Sequence, residues 1–332
     1  MKSFAIVMAT GIVSLACSQL QLTLISQGLL VCNLMLSGYL VILNGIQMKK
    51  YPHRVISDLL APATGFDSFT IVAACCILGS QFLQIVHLPT LALALWCVSL
   101  ITWLLLSYSL LAQFIVRRSG LDISKDVHGG WLLLVVATQA VSVSGTSLSR
   151  EFPVFHESLV FLSLSLWLVG GLLYLWVISL ILYRTIFFTM NPESLAPPYW
   201  ISMGAMAIST LAGASLISIA RDSMILSQIL PFVKGLTLLY WVTATWWIPL
   251  LVILGVWRHI LQRVSFSYDS QFWSIVFPLG MYSVSTHRLA VELNFSPLKQ
   301  GANLFAYLAL GAWLITIIKM TCASLPAGSA IK

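Results

Sequence analysis

Three arginines lie beside carboxylates at the ends of apolar stretches: Arg150 next to Glu151, Arg221 next to Asp222, and Arg288 four residues before Glu292. Guanidinium groups gathered at one mouth of a passage would raise the local anion concentration and speed encounter. The same residues fit a blander reading, in which arginines at helix ends snorkel to headgroups and pair with a neighbouring acid. The carboxylates inform by where they are missing. Asp58, Asp67, Asp122, Asp126, Glu151, Glu157, Glu193, Asp222, Asp269 and Glu292 all map to connections or to the first or last turn of an apolar run. An ionisable group at mid-membrane depth marks a proton relay or a cation site, and none maps there. What remains favours passive movement of something that tolerates a neutral, hydroxyl-lined and weakly positive path.

Other chemistry is disfavoured by the residue types. Cys17, Cys32, Cys75, Cys76, Cys97 and Cys322 form no CxxC pair and read as small packing residues. The six histidines are scattered, no two at i, i+4, and His156-Glu157 lacks the second histidine of a zinc-hydrolase helix. The chain holds no GxSxG, no phosphate-cradling glycine loop and no carboxylate pair inside an apolar run. Neither an enzyme nor a metal or other cofactor is expected.

The stretch Phe272–Thr286, FWSIVFPLGMYSVST, breaks an apolar start with Phe277-Pro278 and Gly280, then turns small and hydroxylic. Proline removes a backbone donor and crowds the preceding turn, so a helix kinks there; glycine permits the same distortion. A ring at the apex of a kink can lean into a channel. Four further stretches share the plan, opening at Phe4, Phe69, Trp131 and Trp200. Aligned on Trp273 and on the aromatics that open the other four, the position four residues on is Phe277 here and Met8, Ala73, Val135 and Gly204 elsewhere, so one large ring faces apolar and small neighbours. That is the composition of a hydrophobic plug. It is also what a core aromatic beside a structural proline looks like. Thr10 with Ser14, and Ser209 with Gly213, are four apart on common helix faces; with Gly280 and Ser283 they are the candidate lining of a channel or of the adjoining inner helices.

The elements that would position these residues follow from composition. With 59% hydrophobic and 8% charged residues and a mean hydropathy of +0.96, the chain reads as one polytopic membrane domain spanning residues 1–332. Marking runs of about 20 apolar residues gives ten: 3–24, 27–47, 67–86, 89–116, 129–148, 156–188, 197–220, 226–261, 269–288 and 301–323. Odd runs are rich in small residues, as helices packed on helices require, and even runs carry the bulky apolar residues that suit lipid. The expected fold is therefore all-α, with five hairpins around a central pore, odd helices inside and even helices outside. Connections after even runs hold nine Lys and Arg (Lys49, Lys50, Arg54, Arg117, Arg118, Lys125, Arg184, Arg258, Arg263), and those after odd runs four (Arg150, Arg221, Arg288, Lys299). This bias places the even-to-odd connections and both termini, with Lys2, Lys319 and Lys332, in the cytoplasm. The first run has no cleavage site after it, so a removable signal peptide is not expected. The net charge of +7 reflects the same bias and gives no reason to expect nucleic acid.

On MATGIVSLA from Met8, FPLGM from Phe277 and the ten-run layout, the chain resembles the tellurite-resistance and C4-dicarboxylate transporter family. That family takes in TehA-like bacterial proteins, malate permeases, sulfite exporters and the slow anion channels of plant guard cells. The resemblance spans nearly the whole chain. It implies a homotrimer in the inner, or plasma, membrane. Each protomer would have its own pore, lined by the five odd helices and blocked by a phenylalanine on the ninth; the matching position is Phe277. The plant channels carry long phosphorylated tails, of which this sequence shows almost none, so kinase-gated control of that kind is not expected.

The first functional expectation is a passive channel or facilitator for small inorganic or organic anions. The second is a coupled secondary transporter or exporter for malate-like dicarboxylates or sulfite. A scaffold or sensor subunit is disfavoured, because a scaffold needs no stripe of small residues repeated five times.

Overall fold

The computed structural model describes residues 4–62, 64–116, 122–189, 191–192, 197–264 and 269–324. Lys2, Arg117, Arg118, Glu193 and Lys332, used in the charge reading above, lie outside the described residues. Ten long helices carry the architecture: α1 Ala5–Gln19, α2 Thr23–Lys50, α3 Phe69–Gln81, α4 Pro89–Val116, α5 Leu133–Glu151, α6 His156–Phe187, α7 Ile201–Ser218, α8 Met224–Val256, α9 Trp273–Glu292 and α10 Pro297–Ser324. No strand occurs among the described residues. A short helix, Pro52–Leu60, follows α2 with Val55 buried and His53 and Arg54 exposed.

Eight helical segments among the described residues are long and apolar enough to cross a membrane, fewer than the ten runs marked in the sequence. The two others fall short for different reasons. With 15 residues, α1 spans only about 22 Å at 1.5 Å per residue. The second half of α9, Ser283–Arg288, carries three hydroxyls, a histidine and an arginine, which lowers its hydropathy.

Burial divides the helices. The apolar windows of the segments containing α5 and α7 are each 89% buried, against 22% for those of α2, α8 and α10. The inner set α1, α3, α5, α7 and α9 closes on itself: α1 packs on α3, α3 on α5, α5 on α7, α7 on α9 and α9 on α1. Each inner helix also packs on the long helix that follows it. Small residues make the close approaches. A Cβ on Gly204 of α7 would stand 2.8 Å from Pro278 Cγ of α9, and one on Gly280 of α9 would stand 2.9 Å from Ile12 Cγ2 of α1. The α9 helix continues across Pro278, which is wholly inside it.

A repeated cross-link ties each outer helix to the next inner one. Asn33 Nδ2 of α2 donates to Gln81 Oε1 of α3 at 2.7 Å. Trp103 Nε1 of α4 donates to Thr138 Oγ1 of α5 at 2.8 Å, and Trp167 Nε1 of α6 to the Ser209 carbonyl of α7 at 2.9 Å. Trp241 Nε1 of α8 donates to Thr286 Oγ1 of α9 at 3.1 Å, and Trp313 Nε1 of α10 to Thr10 Oγ1 of α1 at 3.0 Å. A buried indole N–H needs an acceptor, and an apolar surround offers only protein ones. Three of the turns leading from an inner helix to the next outer one are made by non-glycine residues with left-handed backbones: Gln21 (φ 61°), His87 (φ 60°) and Asn294 (φ 52°). They reverse the chain in very few residues.

Candidate functional site

Residues from all five inner helices enclose a cavity of about 430 Å³. Its inner end is apolar, formed by Ile12 of α1, Cys76 and Ile77 of α3, Ala140 of α5, Ile208 of α7 and Met281 of α9. Towards the ends of the same helices the lining becomes polar, with Gln19, Ser144, Ser147, Ser215 and Ser218, then Arg150, Glu151 and Arg288. From Ala140 to Arg150 this progression covers ten residues, or about 15 Å of helix. The cavity is thus a vestibule, charged at the mouth and apolar at the floor.

The two arginines of the mouth are held differently. Arg150 is exposed, and its Nη2 donates to Ser218 Oγ at 2.8 Å and to the Ser218 carbonyl at 3.0 Å. Because that carbonyl belongs to the last residue of α7, the contact also places a cation at the negative end of a helix. Arg288 Nε lies 3.4 Å from Glu292 Oε1, one turn on, with the Arg288 side chain 34% exposed. Arg221 follows the end of α7, is exposed, and is not part of the cavity lining.

Phe277 is wholly buried, among the largest side chains in the core. It lies four residues, about 6 Å of helix, beyond Met281 at the cavity floor, and it lines no part of the cavity. Met8, Ala73 and Val135, its counterparts by alignment, are 1%, 0% and 0% exposed. Gly204, the fourth, faces Pro278. Phe272 is in a different place. It lines a separate pocket of about 200 Å³ with Tyr199, Trp200, Leu251 and Ile275, at the other end of α9.

The lining residues proposed from helical spacing lie elsewhere. Thr10 accepts from Trp313 of α10, Ser14 Oγ donates to the Ser26 carbonyl of α2 at 2.8 Å, and Ser283 Oγ donates to the Ala302 carbonyl of α10 at 2.8 Å. Ser209 gives its hydroxyl to the Ala205 carbonyl and its own carbonyl to Trp167. A Cβ on Gly213 would collide with Thr237 of α8 and stand 2.9 Å from Trp167 of α6. All five face the outer helices, and none lines the cavity. Four-residue spacing shows that two residues share a face but not which face. On these inner helices the small face accepts the outer ring. The cavity face carries Ile12, Leu15, Ile208, Leu211, Met281 and Val284, with hydroxyls only near the mouth.

Some lining positions were not singled out from sequence. Ser144, Ser147, Ser215 and Ser218 line the vestibule, and their signal was available: each is a hydroxyl within a turn or two of Arg150 or on the helix end that Arg150 reaches. No cluster of three or more His, Cys, Asp or Glu side chains among the described residues could hold a metal ion.

The profile of the SLAC1 family, described as voltage-dependent anion channel, matches residues 1–321. The chain belongs to the SLAC1 family. It is similar to two uncharacterized transporters of Methanocaldococcus jannaschii. One is 27% identical over 95% of this chain and 92% of the relative, the other 26% identical over 96% and 91%. It is also similar to an uncharacterized membrane protein of Mycobacterium tuberculosis, 36% identical over 45% of this chain and 75% of the relative. SLAC1 membership, with eight apolar helices of spanning length, makes this a multi-pass membrane protein of an anion channel and transporter family.

Proposed function

We propose that this SLAC1-family protein is a passive channel for small anions, with the conduction path running along the axis of the five inner helices and closed by Phe277. The observation that carries this reading is the vestibule. All five inner helices contribute to it, two arginines stand at its mouth, and it ends on an apolar floor one turn short of a buried ring. An anion entering would exchange water for the hydroxyls of Ser144, Ser147 and Ser215, the first two turning away from the Cys76 and Val143 carbonyls they now bond, then meet a stretch whose one donor is the weak thiol of Cys76. Leaving such a charge without partners in apolar surroundings costs several kcal/mol, enough to keep the resting protein shut.

In this reading all ten helices cross the membrane, as five hairpins. The Arg150–Arg288 mouth faces away from the cytoplasm and both termini lie inside, as the Lys and Arg bias of the connections supports. Pro278 and Gly280 give α9 the local freedom to move the ring. The inner membrane and a homotrimer with one path per protomer belong to the same proposal. The broad apolar outer faces, with Leu105, Leu172 and Leu239 exposed, suit lipid and neighbouring protomers alike.

A single cysteine at position 144, in a background where the six native cysteines are replaced, tests the path. Nitrate flux into proteoliposomes should be blocked when a bulky thiol reagent modifies that cysteine. Undiminished flux with complete modification would place conduction outside the five-helix ring.

A further inference from the structure

At the end of the helices opposite the vestibule, the pocket of about 200 Å³ lined by Phe272 lies between three elements: the turn Pro197–Trp200 that opens α7, the end of α8 and the start of α9. Trp200, Leu251, Leu254, Phe272 and Ile275 give it apolar walls. Arg258 supplies a charge to its lining, His259 stands beside it, and no carboxylate among the described residues takes part. Both side chains come from a π-helical turn, Trp257–Leu261, in which Gln262 N donates to the Trp257 carbonyl at 2.9 Å. A turn of this width shifts side chains off the α-helical pattern, and such turns gather at functional sites. His259 Nδ1 donates to the Val264 carbonyl at 3.0 Å, which fixes the ring. A second guanidinium stands behind the wall: Arg184 Nη1 donates to Tyr199 Oη at 2.8 Å and its Nε to the Ser124 carbonyl at 2.9 Å. Arg184 is buried and has no carboxylate partner among the described residues. The field at this pocket therefore favours an anion.

The surroundings favour a lipid as the bearer of that charge. Leu254, Gly255, Arg258 and His259 are half-buried, so the pocket is open on the α8 side. There the surface continues as the exposed apolar side chains Val252, Ile253, Val256 and Ile260. Water between the apolar walls would find few partners, whereas a hydrocarbon chain would find contacts on every side. A phosphate at the rim would meet a guanidinium, the side chain whose fork of donors best matches phosphate oxygens. Gly255 leaves the room for this, since a Cβ built on it meets nothing within 4 Å. We propose that this pocket binds one anionic phospholipid, with its phosphate at Arg258 and the upper part of an acyl chain between Leu251, Leu254 and Phe272. Basic pockets between transmembrane helices recur as lipid headgroup sites. A zwitterionic lipid carries the same phosphate together with a cation, which Arg258 and Arg184 disfavour. The site lies at the other end of α9 from the vestibule, so it stands or falls independently of the anion path.

The test is native mass spectrometry of the purified full-length protein, released from neutral detergent after equilibration with equal amounts of phosphatidylglycerol and phosphatidylcholine. Wild type should retain one phosphatidylglycerol per chain, at least fivefold over phosphatidylcholine. Gly255→Leu fills the pocket and replaces a helix glycine by a better helix former; it should lower retention about tenfold while the melting temperature of the lipid-free protein holds or rises. Arg258→Gln should abolish the preference between the two lipids, and Arg258→Lys should be intermediate. Lys49→Gln with Lys50→Gln, which removes exposed charge elsewhere, should match wild type. Equal retention of the two lipids by wild type, or wild-type retention by Gly255→Leu, would overturn the proposal. An equal loss in the Lys49, Lys50 double variant would make the attraction diffuse and overturn it as well. Glycerol phosphate, a headgroup without chains, should compete poorly at the same concentration; competition as strong as that of phosphatidylglycerol would make this a site for free phosphates and remove the lipid.

Discussion

Phe277→Ala separates the gate from a merely structural ring. Phe277 is completely buried and lies one turn past Met281, the last α9 residue of the vestibule floor. If the ring closes the path, its removal extends the vestibule by about 6 Å and lets water follow the anion. Supposing that this recovers about 2–3 kcal/mol of the several that an unsolvated charge faces, conductance should rise roughly 30- to 160-fold, at tenfold per about 1.36 kcal/mol. If the ring only packs, truncation should cost about 3–5 kcal/mol of stability and give no current. Phe272→Ala is the internal control, because Phe272 lines the separate pocket near the start of α9 and should change conductance little. The assay is paired single-channel conductance and thermal melting of both variants in the same lipid. A silent, strongly destabilised Phe277→Ala, or a larger current from Phe272→Ala, would refute the gate.

Three further outcomes follow from the packing and the charge pattern. Gly213→Leu should lower stability by about 1–3 kcal/mol through overpacking against Thr237 and Trp167; a stable variant with strongly reduced flux would return Gly213 to the path. Trp313→Phe and Thr10→Val should each cost about 1 kcal/mol for the lost indole–hydroxyl bond, and the double variant should cost less than the sum; additive melting shifts would mean that the bond contributes nothing. A single cysteine at position 57, on the short helix after α2, should be shielded from impermeant thiol reagents in intact cells; labelling there would invert the topology.

Much of the fold is legible in the residues because lipid and protein ask for different side chains. The bulky runs became α2, α4, α6, α8 and α10, and the small-residue runs became the buried set, with the windows of α5 and α7 at 89% buried. The number of runs was less secure: the shortness of α1 and the polar second half of α9 leave eight segments that pass as spans on length and composition. The lining was illegible for a different reason. Small and hydroxylic residues serve close packing and pore walls equally well, so Thr10, Ser14, Ser209, Gly213 and Ser283 carried no sign of which face they occupied. The bonds that assign them join residues far apart in sequence, as Trp313 and Thr10 do across 303 positions. The arginines divide on the same principle. Arg150 and Arg288 lie within the last turns of α5 and α9 and reach the cavity, while Arg221, which also has an acid beside it in Asp222, comes after α7 has ended and remains outside.

The most direct test of passive anion conduction is the reversal potential of Phe277→Ala in a planar bilayer, under a tenfold nitrate gradient with and without a superimposed pH gradient. No carboxylate, histidine, lysine or arginine lines the floor of the cavity, where Ile12, Cys76, Ala140, Ile208 and Met281 meet. The reversal potential should therefore sit at the nitrate Nernst value, about 59 mV for one charge per tenfold gradient at 25 °C, and stay there when the pH gradient is imposed. A reversal that moves with pH would contradict the account and make the protein a coupled transporter.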